Sequence, residues 1–167
     1  MKQNFTRFVL FSGVAGGLAE LVWIAGYCLA VGTDGWQVAR AVTAAFVPDS
    51  ASLLGAATMG VVIHFLLSIA LAGGFATYLL IPVLRHRSTA VTMAISTVAL
   101  AAVWAVNFFV ILPVVHPAFV QLLPYPVTLL SKLCFGLAMG WSLAAAARRA
   151  PIHLAANTPM AVPAARI

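Results

Sequence analysis

Four polar side chains stand inside long apolar stretches of this sequence, and they are the residues best suited to chemistry. They are a carboxyl, an imidazole, an amide and an amine, supplied by Glu20, His64, Asn107 and Lys132. Each lies in a different apolar stretch, either near mid-membrane or in the outer half. Polar groups in lipid are costly, and they mark ion pathways, proton relays or internal pairs. We therefore treat the four as a candidate intramembrane polar cluster.

Two interpretations of this cluster stay open. In the functional one, Glu20 takes or gives a proton, His64 is its partner, and Lys132 sets the local charge. In the structural one, Glu20 and Lys132 neutralise each other, while His64 and Asn107 form hydrogen bonds between helices. We favour the structural interpretation, because ion pairs inside membranes can serve packing as well as function.

No cofactor is predicted, although haem or quinone binding stays an alternative. A b-type haem in a membrane bundle is usually held by two facing histidines. Only His64 lies securely within an apolar stretch, and His116 follows in a turn that is close enough to reach a haem near that face. A metal held by Glu20, His64 and His116 would not match any compact ligand spacing. Because nucleophile and phosphate-binding motifs are also missing, a non-catalytic protein is favoured over an enzyme.

The amino-acid composition indicates that the four polar residues lie within membrane-spanning segments. Apolar residues make up 63% of the 167 residues and charged ones 7%, against about 25% charged residues in soluble domains. A small soluble protein has too much surface to hide so much apolar area. A membrane-spanning helix needs about 20 mainly apolar residues. Four stretches qualify: Phe8–Val31, a segment within Leu53–Leu84, Thr89–Leu112 stopped by Pro113, and Val127–Ala147.

We therefore predict an all-α integral membrane protein with four transmembrane helices arranged as two hairpins. One domain covers 1–149, and 150–167 is a flexible cytoplasmic tail. The first outer connection, Gly35–Val47, has one apolar helical face that includes Trp36, which predicts a short interfacial helix. Asp49 or Ser50 is then expected to cap the second span. The second connection, Pro113–Pro126, contains four prolines, so it is expected to be a re-entrant or interfacial turn rather than one regular helix.

The positive charge of the chain predicts its orientation rather than a nucleic-acid partner. The net charge is +6, but the basic residues lie on three separate flanks instead of forming one patch. The inner-side residues are Lys2, Arg7, Arg85, Arg87, Arg148, Arg149 and Arg166. By the positive-inside rule, both termini are cytoplasmic. The chain resembles the small four-span proteins of bacterial inner membranes, which implies a multi-pass protein of that membrane.

Small residues predict how the helices pack. Gly13 and Gly17 in the first span, and Gly136 and Gly140 in the fourth, form GxxxG pairs that let helix backbones approach closely. We favour packing inside the bundle over an oligomer interface. Cys28 and Cys134 lie in apolar stretches and are predicted to be buried free thiols.

Three functions are compatible with these observations. The favoured one is a small non-catalytic accessory or assembly subunit of a larger membrane complex, with lipid and other membrane subunits, or further copies of itself, as partners. The second is a small proton-coupled transporter or channel that uses the intramembrane Glu, His and Lys residues. The third is a redox subunit that binds haem or quinone.

Overall fold

A computed structural model of the protein describes residues 2–79 and 87–149, with side chains over 5–79 and 87–148. Four helices are long and apolar enough to cross a membrane, which confirms the predicted all-α membrane fold. The predicted tail over 150–167 lies outside the described residues. The helices are α1 (Lys2–Val31), α2 (Gly35–Phe46), α3 (Ala56–Phe75), α4 (Thr89–Val106), α5 (Leu112–Val115), α6 (Pro117–Val120) and α7 (Tyr125–Arg149).

The long helices form two hairpins that meet through their first and last members. Helix α1 packs against α3, α4 packs against α7, and the hairpins join where α1 packs against α7. The most extensive contacts between the spans therefore run from α3 to α1, from α1 to α7 and from α7 to α4. Helices α2 and α6 touch each other at one end, which we call the α2 end. We call the opposite end the terminal end.

The predicted glycine pairs lie at helix contacts within the chain. A Cβ atom built on Gly13 would lie 2.5 Å from the Ile69 Cα atom in α3, and one on Gly136 would lie 2.6 Å from the Thr97 Cα atom in α4. Gly17 and Gly140 face α3 and α4 in the same way. Backbones approach this closely only where side chains are missing, so these glycines set the spacing of both hairpins.

The main apolar core lies where α3, α4 and α7 come together. Phe135 and Met139 of α7 are fully buried there. Around them pack Ala72 and Phe75 of α3, Ala76 directly after it, Leu100 of α4 and Leu143 of α7. Cys28 and Cys134 are free thiols; Cys28 is buried as predicted, whereas Cys134 is only partly buried. The core thus links the two hairpins independently of the polar residues.

Pro113 does not end the third span, so that prediction was wrong. A π-helical turn over Asn107–Ile111 follows α4, and the Leu112 amide donates to the Asn107 carbonyl. Helix α5 then carries the chain through Pro113 to Val115. A proline lacks an N–H and clashes with the carbonyl four residues earlier. The wider turn accommodates this clash and keeps the segment helical.

Helix α2 forms as predicted, but the following turn differs from the prediction. Neither Asp49 nor Ser50 caps the second span. Asp49 is left-handed, with a φ of 64°, and Ser50 begins a short 3-10 helix that ends at Ser52. Gly55, with a φ of 85°, immediately precedes α3. The chain thus needs an additional turn between α2 and the membrane-spanning helix.

Helix α2 is fastened to the start of α3 rather than lying free. At Gly60 of α3, any side chain would overlap the carbonyl oxygen of Ala39 in α2. The Thr43 hydroxyl of α2 donates to the Ala56 carbonyl of α3 at 2.6 Å. This bond uses a carbonyl of the first turn of α3 and fixes the position of α2 against the span.

Candidate functional site

Glu20 of α1 and Lys132 of α7 form an ion pair across the central helix contact. The Lys132 Nζ atom lies 2.6 Å from Oε1 of Glu20 and 2.7 Å from its Oε2. The side chains keep only 12% and 16% of their surface accessible, for Glu20 and Lys132 respectively. Two opposite charges at this distance inside an apolar bundle cancel most of each other's field.

Contacts on both sides hold the two helices together around this pair. One turn toward the terminal end, Gly16 of α1 receives the ring of Phe135, which a Cβ atom would approach to 2.7 Å. One turn toward the α2 end, the indole N–H of Trp23 donates to the Val127 carbonyl at 3.0 Å. The pair therefore sits where α1 and α7 are already in register. Lys132 Nζ also lies 5.7 Å from the centre of the Phe135 ring, within the range of a cation–π contact.

Hydroxyl groups continue the polar site along α7. The Ser131 hydroxyl donates to the Thr128 carbonyl at 2.7 Å and lies 3.4 Å from Glu20 Oε1. The Thr128 hydroxyl accepts from the indole N–H of Trp104 and donates to the Tyr125 carbonyl, each at 3.0 Å. These polar groups are satisfied, as buried ones must be.

The sequence analysis did not assign a role to Thr128. A signal was present in the spacing. Thr128, Ser131 and Lys132 are three and four residues apart, which places them on one face of a helix. Trp104 is buried and reaches this face from α4.

His64 connects α3 to α1. Its Nε2 atom lies 3.0 Å from the Gly17 carbonyl oxygen. Because a carbonyl only accepts, Nε2 carries the hydrogen, and Nδ1 has no hydrogen-bonding partner within the described residues. Gly17 precedes Glu20 by about one helical turn. Yet no hydrogen bond or ion pair in the described part of the chain joins His64 to Glu20 or Lys132.

Asn107 stands apart from the other three polar residues. It begins the π-helical turn and is half-buried. Its amide side chain forms no hydrogen bond with the residues that the structure describes. Beside it, aromatic rings pack together where α4 meets the start of α7: Trp104, Phe108, Phe109 and Tyr125. Helix rotation thus brings Glu20 and Lys132 together, places His64 one turn away, and leaves Asn107 outside the ion pair.

The two histidines considered as metal or haem ligands each form a hydrogen bond in a different part of the structure. His116 caps the short helix α6, where its Nδ1 accepts the Phe119 amide at 3.2 Å. His64 is engaged with α1, as described above. Over 2–79 and 87–149, no three His, Cys, Asp or Glu residues gather in a group that would hold a metal ion. The hypothetical metal set of Glu20, His64 and His116 is therefore not assembled.

The ion pair can hold α1 and α7 together by charge. The neighbouring imidazole of His64 has one ring nitrogen that makes no hydrogen bond to any residue the structure describes. Comparisons of the chain with protein-family models, with curated proteins and with solved structures found no match.

Proposed function

We propose that the protein is a small non-catalytic integral membrane subunit, an accessory or assembly component of a larger membrane complex. The observation that carries this proposal is the ion pair between Glu20 and Lys132, in which each charge is neutralised by a residue of the same chain. A charged pair joined at 2.6 Å has little attraction left for a transported ion. Its contribution is to hold α1 against α7.

The outward surfaces of the four spans support a role in assembly. Large apolar side chains are exposed on every long helix, for example Leu18, Leu66, Val98 and Leu137. The glycine grooves, by contrast, are filled inside the chain. The apolar outer faces are therefore the surfaces that lipid and other membrane subunits would cover. Little of the described chain lies outside the helices, so contacts within the membrane have to provide most of any association.

The proposal includes an orientation and a membrane. Both termini lie in the cytoplasm, and the α2 end faces outward across a bacterial-type inner membrane. The basic flanks of the sequence support this orientation, since positively charged residues are retained on the cytoplasmic side. Of the acidic residues, Asp34 and Asp49 fall in the connection at the α2 end.

Native mass spectrometry on the tagged full chain, extracted from its own membrane in a mild detergent, tests the proposed function. We expect a defined hetero-complex with larger membrane subunits. The charge-neutral double variant Glu20→Gln/Lys132→Met should form the same complex, because the pair acts only inside the chain. A chain that appears solely as a monomer or as a homo-oligomer contradicts the proposal.

Proton-coupled transport is the second candidate, and one observation favours it. Glu20 and Lys132 are not fully buried, and His64, about one helical turn away, has an Nδ1 atom without a hydrogen-bonding partner among the described residues. A carboxylate, an amine and an imidazole at related depths are the groups that proton relays use. Reconstituted liposomes with a pH gradient distinguish the two candidates. Proton flux that the wild type supports and Glu20→Gln abolishes would favour transport and sink the accessory-subunit proposal.

A further inference from the structure

An open cleft of about 660 Å³ lies at the α2 end, between α2 and the turn that leads into α3. Its lining combines three kinds of groups: one cation, two hydroxyls and several apolar side chains. The lining residues that matter here are Trp36, Arg40, Ser52, Leu53, Leu54 and Thr58. This volume is in the range of small-molecule sites. Such a mixture of a cation with apolar surface fits an amphipathic ligand.

The polar side of the cleft has free hydrogen-bond donors. Arg40 uses its Nη2 atom to bind Oδ2 of Asp34 at 2.6 Å. Its Nη1 and Nε groups make no hydrogen bond within the described residues, and neither do the hydroxyls of Ser52 and Thr58. A guanidinium is a planar fork that can bond two anionic groups at once. Arg40 can therefore bind a phosphate oxygen while keeping Asp34.

The apolar side chains that line the cleft are exposed beside these polar groups. Leu54 is fully exposed, and Leu53 and Trp36 are each more than 60% exposed. The adjoining candidate span covers 24 residues, Ala56–Leu79, or about 36 Å of helix. The hydrocarbon layer is about 30 Å thick, so the cleft lies at its edge. Lipid phosphates and the first acyl carbons meet at this level.

We propose that this cleft binds one phospholipid of the adjacent leaflet. The phosphodiester lies against Arg40, Ser52 and Thr58, and the upper acyl chain lies along Leu53 and Leu54. Trp36 stands at the headgroup level, where indole rings are favoured. A lipid is the occupant that satisfies both sides of the cleft. A free phosphate would use only the polar side.

Native mass spectrometry of the full chain in mild detergent, titrated with phosphatidylglycerol, tests the proposal. Two substitutions should act in opposite directions. Arg40→Gln removes the cation, and we expect the most tightly bound phosphatidylglycerol to bind about tenfold more weakly. Asp34→Asn keeps a good helix-capping side chain but frees the guanidinium, and we expect severalfold tighter binding. Thr58→Val, which leaves the Asp34–Arg40 pair intact, should also weaken binding.

Arg148→Gln is the matched control, because it removes one positive charge from the terminal end of the bundle. It should leave the affinity of that tightest lipid unchanged. Diacylglycerol, which lacks the phosphate, should not bind, and inorganic phosphate alone should not compete. Equal losses in Arg40→Gln and Arg148→Gln would overturn the proposal. So would diacylglycerol binding as tightly as phosphatidylglycerol, or full displacement of the lipid by inorganic phosphate.

Discussion

Lys132 reaches Glu20 with its Nζ atom 2.6 Å from the carboxylate, and the pair joins α7 to α1. The contact lies between the two hairpins rather than inside either one. Each hairpin has its own glycine contacts, at Gly13 and Gly136. The ion pair is therefore expected to contribute, together with the apolar core, to the contact between the hairpins, while the fold of each hairpin depends on close packing.

Breaking the pair from one side should destabilise the protein more than removing both charges. Lys132→Met leaves the Glu20 carboxylate without its partner in an apolar setting, which costs about 3 kcal/mol. The double variant Glu20→Gln/Lys132→Met leaves no charge behind and should stay within about 1 kcal/mol of the wild type. Reversible unfolding in mixed micelles measures both free energies. Glu20→Gln alone completes the comparison. If the double variant loses as much stability as Glu20→Gln and Lys132→Met together, the two residues are not coupled.

Two glycines of α1 provide a matched test of the close helix contact. Gly13→Ala inserts a methyl group against the Ile69 backbone and should cost about 1–3 kcal/mol through overpacking. Gly26→Ala, on the same helix, has open space around its new methyl group. It should stabilise by at most about 1 kcal/mol, because alanine favours helix. Free energies of unfolding in micelles decide the matter, and equal effects at both positions would refute the packing assignment.

Acidification should loosen α2. The Arg40 guanidinium, and then the Trp36 amide, hold the pKa of Asp34 below its ordinary value. A lowered pKa in the folded state means that stabilisation is present above the ordinary value and is lost as the pH falls through the lowered one. Amide hydrogen exchange in α2 should therefore rise only below about pH 4.

Arg40→Gln serves as the control for this pH dependence. Without the guanidinium, the pKa of Asp34 should move up toward its ordinary value, and the fraying of α2 should begin at higher pH. Carboxyl chemical shifts of Asp34 measure the change directly. An Asp34 pKa that is identical in the wild type and the variant would contradict the assigned cause.

Cysteine labelling tests the proposed orientation. Ser52 at the α2 end and Ser88 at the terminal end are both exposed. A membrane-impermeant maleimide should label Ser52→Cys in intact cells and Ser88→Cys only after the membrane is permeabilised. The wild type gives the background from Cys28, which is buried, and from Cys134. Labelling of Ser88→Cys alone in intact cells would reverse the orientation.

The spans and the pairing of their charges differ in how far sequence could predict them. The spans were predictable, because lipid leaves helices as the form that satisfies every backbone group. The meeting of Glu20 with Lys132 depends on helix rotation, which periodicity cannot reveal when every face is apolar. Whether Asn107 would find a partner depends on rotation in the same way. The predicted end of the third span at Pro113 was wrong because proline usually interrupts an α-helix. Here the π-helical turn before Pro113 keeps the segment helical.

The placement of the ion pair also has a consequence for biogenesis. Glu20 and Lys132 are 112 residues apart in the chain. At ribosomal speeds, Glu20 is made about 6–22 s before its counter-charge exists. During that interval α1 has no amine to meet its carboxyl group, so the insertion machinery or water must shelter it. The pair can form only after α7 has been synthesised, so α1 is released from that dependence by a helix from the other hairpin.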